Sequence, residues 1–158
     1  MPEDDGPSAA ARVSAMILAT AQSELAAQLQ AAASLDAKAV GLLSFDGILL
    51  GLLGFLQRSL AGTWWLPAVL LLLSAGGCSG ALVDRQFDVG PNPRDFYLYV
   101  ATEGLSEAGA SAAMMKEIAG AMDANVGLMR AKVWLFVLGV AALFLALTAG
   151  VYLFVRAG

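Results

Sequence analysis

Asp46 is the residue of this chain whose type and position could do chemistry. It lies within the apolar stretch 39–57 (AVGLLSFDGILLGLLGFLQ), and no other Asp, Glu, Lys or Arg falls in that stretch or in the two apolar stretches that follow. An ionisable group in hydrocarbon is costly and marks a candidate functional site. Asp46 comes seven residues after Ala39, roughly 10 Å along a helix, which is too deep for its short side chain to reach the membrane surface.

Three interpretations of Asp46 stay open at this point. It could be a neutral carboxylic acid that joins helices by hydrogen bonds to hydroxyl groups such as Ser74, Ser79 or Thr148. It could line a pore or a proton path, in a water-filled interior shared between subunits. It could also face lipid and have no role. The first interpretation is structural, whereas the second makes Asp46 the functional residue of the protein.

The composition excludes most catalytic chemistry. The chain has no histidine, which is the commonest general base and metal ligand. Its single cysteine, Cys78, can form neither an intramolecular disulfide nor a zinc cluster, and we expect it to pack as a small apolar residue. The net charge of −4 argues against nucleic acid as a partner. We therefore expect no enzyme activity, no catalytic residue, no cofactor and no metal.

The three apolar stretches are 39–57, 64–83 and 133–155. A helix crosses about 30 Å of hydrocarbon with roughly 20 apolar residues, and each stretch has about this length. A mean hydropathy of +0.73 and a charged fraction of 14% support the same conclusion. The sequence predicts an all-α integral membrane protein with three transmembrane helices, an N-terminal cytoplasmic helix and a cytoplasmic helical segment continuous with the third span.

The segments between the spans complete this organisation. Ser8 could cap a helix that reaches about Leu35, and Asn92 could cap a short helix, PRDFYLYVATE. A further helix begins near Ser106, and nothing stops it before Lys132. The predicted parts are a disordered terminus at 1–7, a cytoplasmic helix at 8–38, a two-span hairpin at 39–83, a cytoplasmic helical segment at 84–132 and the third span at 133–158.

The positive charges predict the orientation of the chain in the membrane. Seven of the nine basic residues lie before the first span or between the second and third spans, and two lie on the other side. Since basic residues concentrate on the cytoplasmic side, we expect a cytoplasmic N-terminus and an external C-terminus. The first group is Arg12, Lys38, Arg85, Arg94, Lys116, Arg130 and Lys132, and the second is Arg58 and Arg156.

Small residues mark possible contact faces in the spans. One face of the first span carries four of them, and the second span has a further GxxxG pair. Such faces allow close approach of helices in lipid, within one chain or between chains. The lipid bilayer is one expected partner, and a second copy of the chain is another. The residues are Ser44, Gly47, Gly51 and Gly54 in the first span, with Gly76 and Gly80 in the second.

An apolar stripe runs along the helix that precedes the third span. Its members recur at helical spacing, and we expect them to contact the N-terminal cytoplasmic helix. They are Met115, Ile118, Met122 and Met129.

Short motifs at the start of the first and third spans carry a family resemblance. Asp36, Lys38 and Ala39 open directly into the first span, and Asn125 and Lys132 precede the third. This layout resembles the transmembrane effector domain of Pycsar-type bacterial antiphage defence systems, across roughly residues 10–155. The resemblance implies a multi-pass protein of the bacterial inner membrane that oligomerises and disrupts or depolarises the membrane, as a pore or otherwise, on infection signalling. It also implies a nucleotide-signalling or sensor partner protein. The alternative is a constitutive membrane subunit or scaffold that docks a partner through its cytoplasmic helices.

Overall fold

The computed structural model describes residues 9–56, 63–83 and 87–157. These residues form helices and connecting turns, with no strand among them. Three of the helices within these ranges have the length and apolar composition that a membrane crossing requires. The predicted fold class, an all-α membrane protein, is therefore confirmed. The helices are α1 (Ala9–Leu56), α2 (Trp65–Leu82), α3 (Pro93–Glu103) and α4 (Glu107–Ala157).

Helix α1 differs from the sequence prediction, which separated a cytoplasmic helix at 8–38 from a first span beginning at Ala39. The structure has one unbroken helix through this boundary. The reason lies in residues 35–38, which contain neither glycine nor proline and so carry no signal that ends a helix. Several other expectations lie outside the described residues, namely the disorder of 1–7, the Ser8 cap, and the charges Arg58 and Arg85.

The two later helices begin and end where the sequence predicts. The Asn92 side chain caps α3, since its Oδ1 accepts a hydrogen bond from the Arg94 backbone N–H at 3.1 Å. Helix α3 ends before Gly104, whose φ of 60° is the left-handed conformation that glycine adopts readily. Ser106 Oγ accepts from the Gly109 N–H at the start of α4. Helix α4 then runs for 51 residues, which confirms the predicted continuity with the third span.

The described residues form two compact units. Unit 1 consists of residues 9–31 and 87–127, and unit 2 of residues 32–56, 63–83 and 128–157. In unit 1, Ile118 is buried, whereas Met115 and Met122 are half-buried. Gly90 packs against the side chains of Leu25 in α1 and Ile118 in α4. The apolar stripe of unit 1 therefore belongs to its core. Met129, in unit 2, is also half-buried.

Unit 2 packs α1, α2 and α4 along a repeat of about seven residues. Spacings of three, four and seven are typical of helices that cross at a shallow angle with interlocking side chains. Two apolar clusters form this core, one of Ala39, Cys78 and Ala81 and the other of Leu71, Leu143 and Ala146, and Leu42 packs against both. The buried positions are Ala32, Ala39 and Asp46 in α1, Pro67, Leu71, Ser74, Cys78 and Ala81 in α2, and Lys132, Gly139, Leu143 and Ala146 in α4.

Candidate functional site

Asp46 lies in the interior of unit 2, where its exposed fraction is 0%. Ser74 Oγ, on α2, lies 2.8 Å from Asp46 Oδ2 and donates a hydrogen bond to it. Of the three hydroxyl groups that the sequence offered, Ser74 is the one that Asp46 uses. Ser79 is exposed, and Thr148 donates to the backbone carbonyl of Phe144 in its own helix. Complete burial contradicts the interpretation of Asp46 as a lipid-facing residue.

The second carboxyl oxygen of Asp46 has no such partner. Oδ1 is buried and accepts no hydrogen bond from any described residue. Leaving a buried polar atom unpaired costs about 1–3 kcal/mol, so the site is energetically unfavourable even with Ser74 in place. One hydrogen bond is much less than an ionised carboxylate requires in hydrocarbon, and the geometry therefore accommodates the neutral acid.

Apolar layers enclose the Asp46–Ser74 pair on both sides along α2. Ser74 comes three residues after Leu71 and four residues before Cys78, which belong to the two different clusters of the core. Cys78 is itself fully buried, as expected of a small apolar residue. The pair is thus a polar contact between two apolar layers, and its hydrogen bond joins α1 directly to α2.

Helices α2 and α4 approach each other closely near this pair, at Gly77 and Gly139. A Cβ atom on Gly77 would lie 2.9 Å from the Leu135 carbonyl oxygen and 3.0 Å from Gly139 Cα. A Cβ atom on Gly139 would lie 3.1 Å from the Ser74 carbonyl oxygen and 3.1 Å from Cys78 Sγ. A side chain at Gly77 would therefore force the two backbones apart, and one at Gly139 would require its neighbours to shift by a few tenths of an ångström. Gly139 therefore sets the position of the α2 backbone that carries Ser74.

The glycine faces predicted from GxxxG spacing contribute little to packing within the chain. A Cβ atom on Gly47, Gly51 or Gly54 would meet no atom of the described residues within 4 Å, and Ser44 is exposed and donates to its own helix at Val40. In α2, a Cβ atom on Gly76 is equally far from the described residues, whereas one on Gly80 would lie 3.4 Å from the Leu135 side chain. No described residue therefore packs on the glycine face of α1, and the close contact in α2 is made at Gly77, one residue from Gly76. The sequence signal for Gly77 was its place in the Gly76-Gly77 pair.

Two residues of the family-like motifs meet in the structure. Lys132 Nζ lies 2.8 Å from Asp36 Oδ1 and 3.0 Å from Oδ2, and it donates to both. The lysine is nearly buried, at 3% exposed, whereas the Asp36 side chain is 38% exposed. Ala39 packs in the core against Cys78, and Lys38 is exposed. The motif thus contributes one ion pair between α1 and α4 and one core residue.

Asn125 fixes the backbone of the chain that leads into α3. Its Oδ1 accepts from the Asp88 N–H at 2.9 Å, and its Nδ2 donates to the Asp88 carbonyl at 2.8 Å. The Asn125 side chain is 1% exposed. A single amide group therefore satisfies both backbone groups of Asp88, in the manner of a strand partner. The sequence places Asn125 in the family-like motif before the third span but offers no signal for its partner.

In a comparison with known proteins, no family model, curated protein or solved structure matches the chain. Nor do the described residues contain a group of three or more His, Cys, Asp or Glu side chains that could hold a metal ion. The function is therefore argued from the geometry of Asp46 and its surroundings.

Proposed function

We propose that this protein is a membrane effector that self-associates and, when triggered, opens a path for ions that depolarises the cell membrane. The observation that carries the proposal is the buried carboxyl group of Asp46, which has one partner in Ser74 and one oxygen without any. An apolar side chain would fill the same position without an unpaired polar atom. A carboxyl group retained at such a cost is typical of ion and proton pathways.

In this proposal the arrangement of unit 2 is the closed form. Ser74 holds Asp46 inside the helix packing, away from lipid and from the open glycine face of α1. Asp46 and Gly47 are adjacent residues, so their Cα atoms lie about 100° apart around the axis of α1. A rotation of α1 by about this angle would bring Asp46 to the face now occupied by Gly47, Gly51 and Gly54. If a second copy packs on that face, the carboxyl groups then line the space between subunits.

The antiphage role and the orientation extend the same proposal. The resemblance of Asp36, Lys38, Ala39, Asn125 and Lys132 to the Pycsar-type effector motifs supports action at the bacterial inner membrane after an infection signal. The distribution of basic residues supports a cytoplasmic N-terminus and an external C-terminus. Fusion of a reporter that is active only in the cytoplasm tests the orientation. Activity of that reporter at the C-terminus would contradict it.

The deciding experiment measures membrane potential in bacteria that express the protein from an inducible promoter. A potential-sensitive dye should report depolarisation by the parent, and Asp46→Leu should insert in equal amount but abolish the effect. Asp46→Asn keeps the size and hydrogen bonding of the side chain, so it should abolish depolarisation only if an ionisable group lines the path. Leu52→Ala, at an exposed position of the same helix, is the control. Depolarisation by Asp46→Leu at the parental level would refute the proposal.

The alternative, a constitutive subunit or scaffold that docks a partner, is favoured by the exposed flank of α3. Tyr97, Leu98 and Tyr99 are 72%, 53% and 49% exposed, although large aromatic side chains usually bury much of their area. In a scaffold, neither the parent nor Asp46→Leu would change the membrane potential, whereas replacement of the α3 tyrosines by serine would abolish the effect of the protein on its partner. The two candidates thus respond to different variants.

A further inference from the structure

Unit 1 contains an open cleft that the proposed conductance does not use. It has a volume of about 640 Å³ and lies between the turn at Gly90, helix α3 and the first part of α4. Its lining includes both aromatic and charged side chains. Those that matter for recognition are Asp95, Phe96, Tyr99, Lys116 and Glu117.

The wall of the cleft at Gly90 is fixed before any ligand binds. Asn125 holds the backbone of Asp88 by two hydrogen bonds, and Asp88 Oδ1 in turn accepts from the Gly90 N–H at 2.9 Å. Gly90 has a φ of 85° and packs against the buried core of unit 1. Asn92 then caps α3. A wall held in this way loses little conformational entropy on binding.

The chemistry of the cleft favours a cation. The rings of Phe96 and Tyr99 lie 6.4 Å apart at an angle of 44°, and aromatic faces attract ammonium and guanidinium groups. The carboxylates of Asp95 and Glu117 add negative charge, and neither forms an ion pair with a described residue. Lys116 is the one cationic side chain among the lining residues, so it opposes the binding of a second cation.

The net charge of unit 1 also favours a cationic ligand. The described residues of unit 1 include seven acidic and three basic side chains, whereas those of unit 2 include two acidic and four basic ones. An acidic surface attracts basic partners and repels acidic ones. Tyr97 and Leu98, on the same helix as Asp95 and Tyr99, are exposed as well and offer further contact area to a ligand larger than a small molecule.

We propose that this cleft binds an arginine or lysine side chain from a basic segment of a partner protein. The guanidinium or ammonium group would lie between the Asp95 and Glu117 carboxylates and against the face of Tyr99. The flanking residues of the segment would cover the exposed part of α3. This inference goes beyond membrane depolarisation and does not depend on it, because binding can be measured in the absence of any ion flux.

The test uses the full chain in nanodiscs and a fluorescent octa-arginine peptide, at about 0.15 M salt so that long-range attraction is screened. The double variant Asp95→Asn/Glu117→Gln should weaken binding at least tenfold. The matched control, Glu103→Gln/Asp123→Asn, removes the same charge from exposed positions of unit 1 outside the cleft, and it should weaken binding less than twofold. Lys116→Ala should strengthen binding, since it removes the opposing charge.

Two outcomes would overturn the inference. The first is equal weakening by the cleft variant and the control variant, because the peptide would then respond only to net charge. The second is loss of binding in Lys116→Ala together with binding of octa-glutamate or inorganic phosphate by the parent, because the cleft would then select anions. Hydrogen exchange at the Asp88 amide confirms in each variant that the wall of the cleft remains folded. Failure of this inference leaves the Asp46 measurements unaffected.

Discussion

Ser74 Oγ lies 2.8 Å from Asp46 Oδ2, and both side chains are fully buried. This contact links two membrane-spanning helices through side chains that are 28 residues apart in the sequence. Hydrogen bonds between helices in lipid contribute about 0.6 kcal/mol on average and up to about 1.7 kcal/mol. The pair therefore contributes only a small part of the free energy that holds α1 against α2, and the apolar clusters of the core contribute to the rest.

Replacement of Ser74 by alanine should destabilise unit 2 by about 1–2 kcal/mol, because both carboxyl oxygens of Asp46 then lack a partner. Unfolding in mixed detergent micelles, followed by circular dichroism, measures this free energy. The double variant Ser74→Ala/Asp46→Leu should recover part of the loss, since no unpaired polar atom remains. A double variant less stable than Ser74→Ala would show that leucine does not fit the space.

Gly77 and Gly76 are adjacent glycines for which we expect opposite results. Gly77→Ala places a Cβ atom 2.9 Å from the Leu135 carbonyl oxygen, so the helices must move apart, at a cost of about 1–3 kcal/mol. The Cβ atom of Gly76→Ala would meet no atom of the described part of the chain within 4 Å, so this variant should be neutral or stabilising by up to about 1 kcal/mol through helix propensity. The same micelle assay compares them. Equal stabilities would place the crossing of α2 and α4 elsewhere.

The Asp36–Lys132 ion pair should respond unequally to loss of each partner. Asp36→Asn keeps an oxygen that can accept a hydrogen bond from Lys132 but removes the carboxylate charge beside a nearly buried ammonium group, and it should destabilise unit 2 by about 1.5–3 kcal/mol, the usual contribution of a hydrogen bond to a charged group. Lys132→Met leaves Asp36 without this ion pair, but the Asp36 side chain is 38% exposed and water can hydrate it. Lys132→Met should therefore lower the free energy of unfolding less than Asp36→Asn does. Lys38→Met, at an exposed position of α1, is the control. A cost for Lys132→Met that equals or exceeds that of Asp36→Asn would contradict the asymmetry.

Asn125→Ala should release the backbone of Asp88, because it removes an acceptor and a donor together. We expect hydrogen exchange at the Asp88 amide to accelerate about tenfold or more, since loss of about 1.4 kcal/mol of protection corresponds to a factor of ten. Asn125→Asp keeps the acceptor for the Asp88 N–H and should show a smaller effect at that amide. Asp123→Asn, at an exposed position of the same helix, controls for charge. An unchanged exchange rate at the Asp88 amide in Asn125→Ala would show that the two hydrogen bonds from Asn125 do not hold the Asp88 backbone in place.

These residues also show which parts of the structure can be predicted from sequence. Apolar runs and cap residues act locally, so the spans, the start of α3 at Asn92 and the length of α4 followed from the sequence. Asp46 could be identified from the sequence because it lies deep within an apolar stretch. Its hydrogen-bond partner could be predicted only as one of three hydroxyl groups. The choice of Ser74 among them, and of Gly77 rather than Gly76 as the contact glycine, depends on the rotation of each helix about its axis. A difference of one residue changes that direction by about 100°, and local sequence does not determine it.

The open face of α1 gives the last prediction, which concerns self-association. A Cβ atom on Gly47 or Gly51 would meet no atom of the described residues within 4 Å, and small-residue faces in lipid favour close helix contact. Gly47→Leu and Gly51→Leu should therefore shift the protein toward the monomer without destabilising unit 2, because each new side chain leaves the helix into open space at its Cβ atom. Leu52→Phe adds volume at a neighbouring exposed position and should leave the distribution unchanged. Chemical crosslinking in membranes and photobleaching of single nanodiscs measure the subunit number. If both glycine variants retain the parental distribution, copies of the chain do not meet on this face, and a rotation of α1 would not bring Asp46 between subunits.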